Sequence, residues 1–266
     1  MTNFYFIINI IQIIGKKTVF LIIHIGKSGI LLINIVTSNM NLKKNSRNFI
    51  KQFYIMGFLS LGIIIISSLF IGMVVGLQGY YILQKFGTEE VIGQMISLTI
   101  IRELGPVMSA LLFVGRTGAS LAAEICLMKN TDQMLAIENM GIDPIGKIIT
   151  PKFWAGLISM IILAIIFIVM AIIGSYIATV LWLKCDNNIF WSSITDNIDF
   201  KIDIINSIIK SSIFGFVIIW VALFQGINSK TTIEGIIIST TNTVVYSTFI
   251  ILIINFFLTS LMFNWI

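Results

Sequence analysis

The sequence predicts an all-α, polytopic integral membrane protein with an N-terminal interfacial helix, five transmembrane helices, and a short amphipathic helix between the second and third spans. Three observations predict it. Charged residues make up 11% of the chain and hydrophobic residues 57%, whereas a soluble domain carries about 25% charged residues. Apolar runs of about twenty residues or more, enough to cross a bilayer as helix, recur along the chain. Those runs are continuous, unlike the short alternating segments of a membrane β-barrel, and the whole chain holds three prolines.

Phe4 to Ile14 is apolar, but no basic residue precedes it and no small-residue cleavage site follows. It is expected to remain on the protein as something other than a signal peptide. From Thr18 to Val36 the apolar pattern is interrupted by His24 and Lys27, which suits a helix lying in the membrane interface. Gly26-Lys27-Ser28 resembles the end of a phosphate-binding loop, but the glycine required five residues earlier is Leu21 and no strand precedes it, so ATP binding by this chain is excluded. Asn39 to Lys51 carries Lys43, Lys44, Arg47 and Lys51 and reads as a basic cytoplasmic segment against anionic headgroups. Residues 1–52 therefore form one region and 53–266 the membrane domain.

Phe53 to Leu77 has no charge and is the first span, with Gly57, Gly62, Gly72 and Gly76 as points of close helix approach. The apolar segment Val91 to Met128 would measure about 57 Å as helix, too long for a hydrocarbon core of about 30 Å. It is expected to project, bend or break, and Gly105-Pro106 is where the ladder loses a donor. Asn130 to Gly141 is a short amphipathic helix, with Asn130 as N-cap and Gly141 closing it before Asp143-Pro144. Phe153 to about Leu183, Ile204 to Gly226 and Ile236 to Met262 are the remaining spans, and Lys184 to Asp203 is an acidic loop. With the N-terminus inside, eleven Lys and Arg fall on the inner side and only Lys85, Lys184 and Lys201 outside, so the N-terminus is predicted cytoplasmic and the C-terminus external.

The second span concentrates the chemistry. Arg102, Glu103, Arg116 and Glu124 lie within an otherwise apolar run, and charges at membrane depth are costly enough to suggest function. Gly115, Ala119, Ala122 and Cys126 follow helical spacing, and with Gly118 they offer a small-residue surface for helix packing. Lys210, in the fourth span, falls at a depth where it could meet Glu103. Pairing between them and separate solvation of each charge are both open on the sequence alone. No catalytic constellation appears; Cys126 and Cys185 have neither pair spacing nor a nearby histidine, so no metal site or redox role is expected. The net charge of +5 lacks the basic stripe with interleaved aromatics of a nucleic-acid binder.

Several separated motifs carry a family resemblance. Arg-Glu-Leu-Gly-Pro-Val at 102–107, Gly-Arg-x-Gly at 115–118, Ala-Ala-Glu-Ile-x-Leu-Met at 122–128 and Met-x-x-Asp-Pro at 140–144 resemble the MlaE (YrbE) family of ABC-transporter permeases. Phe70-Ile71-Gly72-Met73, Gln78-Gly79-Tyr80, Pro151 to Gly156 and Leu261-Met262-Phe263 extend the match over about 56–263. The resemblance implies a homodimeric inner-membrane permease of a phospholipid-transport system that maintains outer-membrane lipid asymmetry. It implies a separate cytoplasmic ATPase (MlaF-like) that binds ATP and Mg, a STAS-domain subunit (MlaB-like) on that ATPase, and a periplasmic MCE-domain hexamer (MlaD-like). No cofactor is implied in this chain; bound phospholipid is the substrate. By position it places Arg102, Glu103, Gln78, Ile82, Leu83, Phe86 and Lys210 at a lipid cavity. It makes the 130–141 helix, with Asp132, Met134, Ile137, Glu138 and Gly141, the coupling helix for the ATPase. Family members carry Arg near positions 238 and 242, where this chain has Ile238 and Asn242.

Two other classes compete. An ion-coupled secondary transporter would use the intramembrane carboxylates as relays, but no inverted repeat of the kind many such proteins show is visible. A non-transporting scaffold subunit would need none of the intramembrane charges.

Overall fold

The computed structural model describes residues 2–38 and 42–263. Residues 39–41 of the basic segment lie outside the described residues. All regular structure among those described is helical, and five helical stretches are long and apolar enough to cross a membrane.

Helix α1 (Thr2–Thr37) is one continuous helix, where the sequence suggested two apolar pieces. Leu31 and Ile35 are buried, while Ile22, Ile25, Ile30 and Ile33 are exposed, so the helix rests one face on the bundle. Trp220 Nε1 donates to Ser28 O at 3.0 Å, and the hydroxyls of Ser38 and Thr150 are 2.6 Å apart. Lone His24 is a packing residue: its Nε2 is 2.9 Å from Asn228 Nδ2, and its ring meets Phe224 edge-on.

Helix α2 (Leu42–Met56) passes through Gly57 and a tight turn at Phe58–Ser60 into α3 (Leu61–Phe86). The apolar stretch runs from Ser46 to Phe86, longer at both ends than the expected first span. Ile64, Ser68, Gly72, Gly76 and Gly79 are buried, a small-residue stripe at three- and four-residue spacing. Its Gly72 and Gly76 face α8 (Thr150–Tyr176) at backbone contact, while Gly79 meets Ile96 of the second span. A Cβ on Gly72 would stand 2.0 Å from Ala171 O, and one on Gly174 2.2 Å from Leu69 O. Only glycine admits that approach from either side. Gly57 and Gly76 also meet α8, but Gly62 has nothing within 4 Å, so the expectation of close approach fails there.

The second span is a chain of α4 (Ile92–Thr99), α5 (Gly105–Phe113) and α6 (Ala119–Asn130), joined by π-helical turns at Ile100–Leu104 and Val114–Gly118. It does not break at Gly105-Pro106. The Gly105 N–H reaches back five residues to Ile100 O, and the wider turn carries the helix past Pro106 without a break.

Helix α7 (Gln133–Asn139) is shorter than the expected 130–141 element. Asn130 ends α6 instead of capping α7, because Asp132 adopts a left-handed conformation (φ 54°) that turns the chain between them. Gly141 (φ 73°) closes α7 as expected: its N–H bonds Glu138 O and the next N–H, of Ile142, bonds Ile137 O. Asp143 then caps the turn leading into α8 by accepting from the N–H groups of Ile145 and Gly146.

The region read as an acidic loop contains a helix, α9 (Asn187–Asn197), capped by Asp186 accepting from the Asn188 N–H at 3.0 Å. It seats Phe190 and Ile194 against Gly93 of α4. Helices α10 (Phe200–Asn228) and α11 (Ile233–Phe263) complete the bundle. Helix α10 is the most enclosed span and α11 the least.

Candidate functional site

The first π-helical turn of the second span positions the charges. Pro106 has no N–H, so the carbonyl four residues before it, on Arg102, lacks its ordinary helical donor. Lys210 Nζ, from α10, fills that place at 2.9 Å. The same ammonium donates to Glu103 Oε1 at 3.0 Å and to Thr259 Oγ1, on α11, at 2.9 Å. All three ammonium protons are thereby used, which is what a lysine with 0% side-chain exposure requires.

Glu103 is satisfied in turn. Its Oε1 also accepts from Thr259 Oγ1 at 2.7 Å, and its Oε2 accepts from Asn255 Nδ2 at 3.1 Å. Beside it, Arg102 Nε donates to Asp203 Oδ1 at 2.8 Å. Each ion pair joins a fully buried member to one that opens outward: Lys210 and Asp203 are enclosed, while the Glu103 and Arg102 side chains are 35% and 34% exposed. Three spans thus hold a cation and an anion, adjacent in sequence, at an accessible surface within apolar surroundings. Such a surface can bind a zwitterionic or anionic polar group, and no cluster of three or more His, Cys, Asp or Glu that could hold a metal occurs among the described residues.

The sequence left open whether Glu103 and Lys210 pair, and in the structure they do, at 3.0 Å. Asp203, Asn255 and Thr259 were missed. Asp203 was assigned to a loop, and a lone Asn or Thr in an apolar helix gives no periodic signal. Gln78, Ile82 and Phe86, spaced by four, are exposed along α3 beside its glycine stripe, and Leu83 is half-buried against the core. No hydrogen bond joins these four to the charged network among the described residues.

The remaining charges of the second span form a separate group toward α7. Glu124 Oε2 lies 2.6 Å from Lys152 Nζ at the base of α8, and Arg116 Nη1 donates to Ser60 Oγ at the start of α3. On α7, Asp132, Glu138 and Gly141 are exposed, whereas Met134 and Ile137 are half-buried and Met134 packs on the core. The apolar side chains turned outward there are Leu135 and Met140.

The small-residue surface holds only in part. Ala122 is fully buried, with Gly226 of α10 against it, and Gly118 faces Ile218 and Thr243. Ala119 is half-buried, and Gly115 is exposed with nothing within 4 Å of a Cβ position. The π turn at Val114–Gly118 is the reason: its extra residue rotates Gly115 about 100° away from the face of Ala119 and Ala122.

A family model described as Permease MlaE matches residues 49–261. The chain belongs to the MlaE permease family. This MlaE-family chain is 42% identical over 97% of its length to the intermembrane phospholipid transport system permease protein MlaE of Haemophilus influenzae, 99% of which is covered. It is 34% identical, with the same coverage of both chains, to a probable ABC transporter permease protein of Rickettsia bellii. A probable ABC transporter permease protein of Synechocystis is 32% identical over 83% of each chain. The permease assignment and the multi-pass membrane character follow, and the relatives are permease subunits, not enzymes.

Proposed function

We propose that this chain is the membrane subunit of an ABC-type transporter that moves phospholipids between inner and outer membranes and so maintains outer-membrane lipid asymmetry. The observation that carries the proposal is the 42% identity, over nearly the whole of both chains, to a permease of an intermembrane phospholipid transport system. The Arg102/Asp203 and Glu103/Lys210 pairs fit that role. A phospholipid headgroup presents a phosphate and, in zwitterionic lipids, an ammonium, which an exposed guanidinium beside an exposed carboxylate complements, while its acyl chains need an apolar wall. Gln78, Ile82, Leu83 and Phe86 supply that wall when two copies face each other. Two copies also cover Arg102 and Glu103, whose exposure to lipid tails would be costly.

In this reading the ATPase is a separate chain that holds ATP and Mg. It docks on α7, carries a STAS-domain subunit, and works beneath a periplasmic MCE-domain ring. The protein sits in the inner membrane with its N-terminus cytoplasmic and its C-terminus periplasmic, which the distribution of Lys and Arg supports. Nucleotide-driven motion of α7 switches the dimer between two arrangements, and lipid leaves as the charged surface opens or closes. Mass spectrometry of the complex purified into native nanodiscs tests this. The expected result is a dimer of this chain with stoichiometric ATPase and bound phospholipid; a chain that purifies without ATPase and retains no lipid above the nanodisc background refutes it.

A further inference from the structure

Helix α6 is tied to the bundle by three charged side chains. Near its inner end, Lys129 Nζ donates to Ile227 O at 2.8 Å and Ser229 O at 2.6 Å, the unsatisfied carbonyls where α10 ends. One turn or more earlier, Glu124 pairs with Lys152 of α8. Just before the helix, Arg116 holds Ser60 at the foot of α3, and Ser60 also lies 3.3 Å from Thr117. A small cleft of about 90 Å³ opens between these contacts, lined by Met56, Arg116, Thr117, Ser120 and Glu124.

The Glu124–Lys152 pair differs from the other two contacts. Lys152 is 2% exposed and makes no hydrogen bond besides its contact with Glu124 among the described residues, whereas Glu124 is 38% exposed toward the cleft. A buried ammonium with a single carboxylate partner is expensive to leave alone, so α8 must follow Glu124 when α6 moves or leave Lys152 uncompensated. Helix α8 in turn meets α3 backbone to backbone at Gly72/Ala171 and Gly174/Leu69, a contact with no room to slide. Helix α3 carries the exposed Gln78, Ile82 and Phe86 beyond that contact.

We propose that Glu124 and Lys152 are a positioning pair through which motion of α7 and α6 is passed to α8 and α3. The pair is a transmission contact with no role in binding lipid or nucleotide. The inference rests on the transporter reading above. It predicts that the pair's charge, and not its bulk, is what transport needs, since a buried ion pair exchanged for apolar residues of similar size commonly leaves a fold as stable or more so.

The test uses the full complex, with its ATPase, in phospholipid vesicles, comparing wild type, Glu124→Gln and the double variant Glu124→Met/Lys152→Met. The double variant is expected to assemble and to hydrolyse ATP within twofold of wild type, while phospholipid transferred per ATP falls at least tenfold. Glu124→Gln, which keeps the shape but strands the buried Lys152 ammonium without its counter-charge, is expected to lose transfer per ATP at least as far as the double variant. Wild-type transfer per ATP in the double variant overturns the inference. If the double variant fails to assemble, the same comparison is made on Glu124→Gln, and unchanged transfer there overturns it. Spin labels on Leu127, exposed on α6, and Lys85 provide a readout independent of the substrate: a nucleotide-dependent distance change in wild type should be lost in the variants, and its persistence refutes the pair's role. A wild-type complex that shows the distance change but moves no phospholipid would instead defeat the transporter reading.

Discussion

Replacing Lys210 by methionine isolates the energetics of the charged site. Methionine matches the length of the lysine stem, so packing around a fully buried side chain is largely kept and the change removes one charge and three hydrogen bonds. Arg102 O is left with neither a helical donor, because of Pro106, nor the ammonium. Glu103 keeps Thr259 and Asn255 but loses its counter-charge. Removing one partner of a buried pair costs about 3–5 kcal/mol, and the partial exposure of Glu103 puts this case near the lower end, about 3 kcal/mol. Adding Glu103→Gln removes the orphaned charge and should return stability to within about 1 kcal/mol of wild type, a recovery of about 2 kcal/mol over the single variant. Equilibrium unfolding in mixed micelles by added SDS, followed by tryptophan fluorescence, measures both. A single variant within about 0.5 kcal/mol of wild type, or a double variant no more stable than the single, refutes the reasoning.

The glycine contact should be intolerant: Gly72→Leu, which places side-chain atoms where Ala171 O stands, is expected to abolish accumulation of folded protein, while Gly62→Ala, which meets nothing, leaves it unchanged by size-exclusion fluorescence. On α7, Leu135→Glu should reduce co-purification of the ATPase at least fivefold without lowering the yield of the permease, because Leu135 is 54% exposed and touches no core; undiminished co-purification removes α7 as the docking element. Cys185 is the partly exposed thiol and Cys126 is buried, so a membrane-impermeant maleimide should modify position 185 alone, and, in the orientation proposed above, from the periplasmic side. Burial first, and the Glu89 carboxylate second, push the Cys185 thiol up, so less thiolate is present at neutral pH than for a free cysteine. Its labelling should be slow at pH 7, rise through the alkaline range, and quicken in Glu89→Gln; labelling as fast as free cysteine at pH 7 contradicts that electrostatic reading.

Much of the architecture was legible without coordinates because the bilayer imposes it: a helix must be about twenty apolar residues long to cross, and five such runs are written in the chain. The Arg102-Glu103 couple, the bend-prone Gly105-Pro106 and the closing Gly141 likewise show in local sequence, since charge, a missing donor and a positive φ are properties of single residues. What only the tertiary structure decided depends on distance through space. The helix at 187–197 forms because Asp186 caps it and Phe190 finds Gly93. The π-helical turns rotate Gly115 out of the packing face, and Asp203, Asn255 and Thr259 become site residues because α10 and α11 carry them to a turn about a hundred residues or more away in sequence. Apolar periodicity records which residues leave water, but which buried charge meets which is set by how the helices cross, and no single helix contains that information.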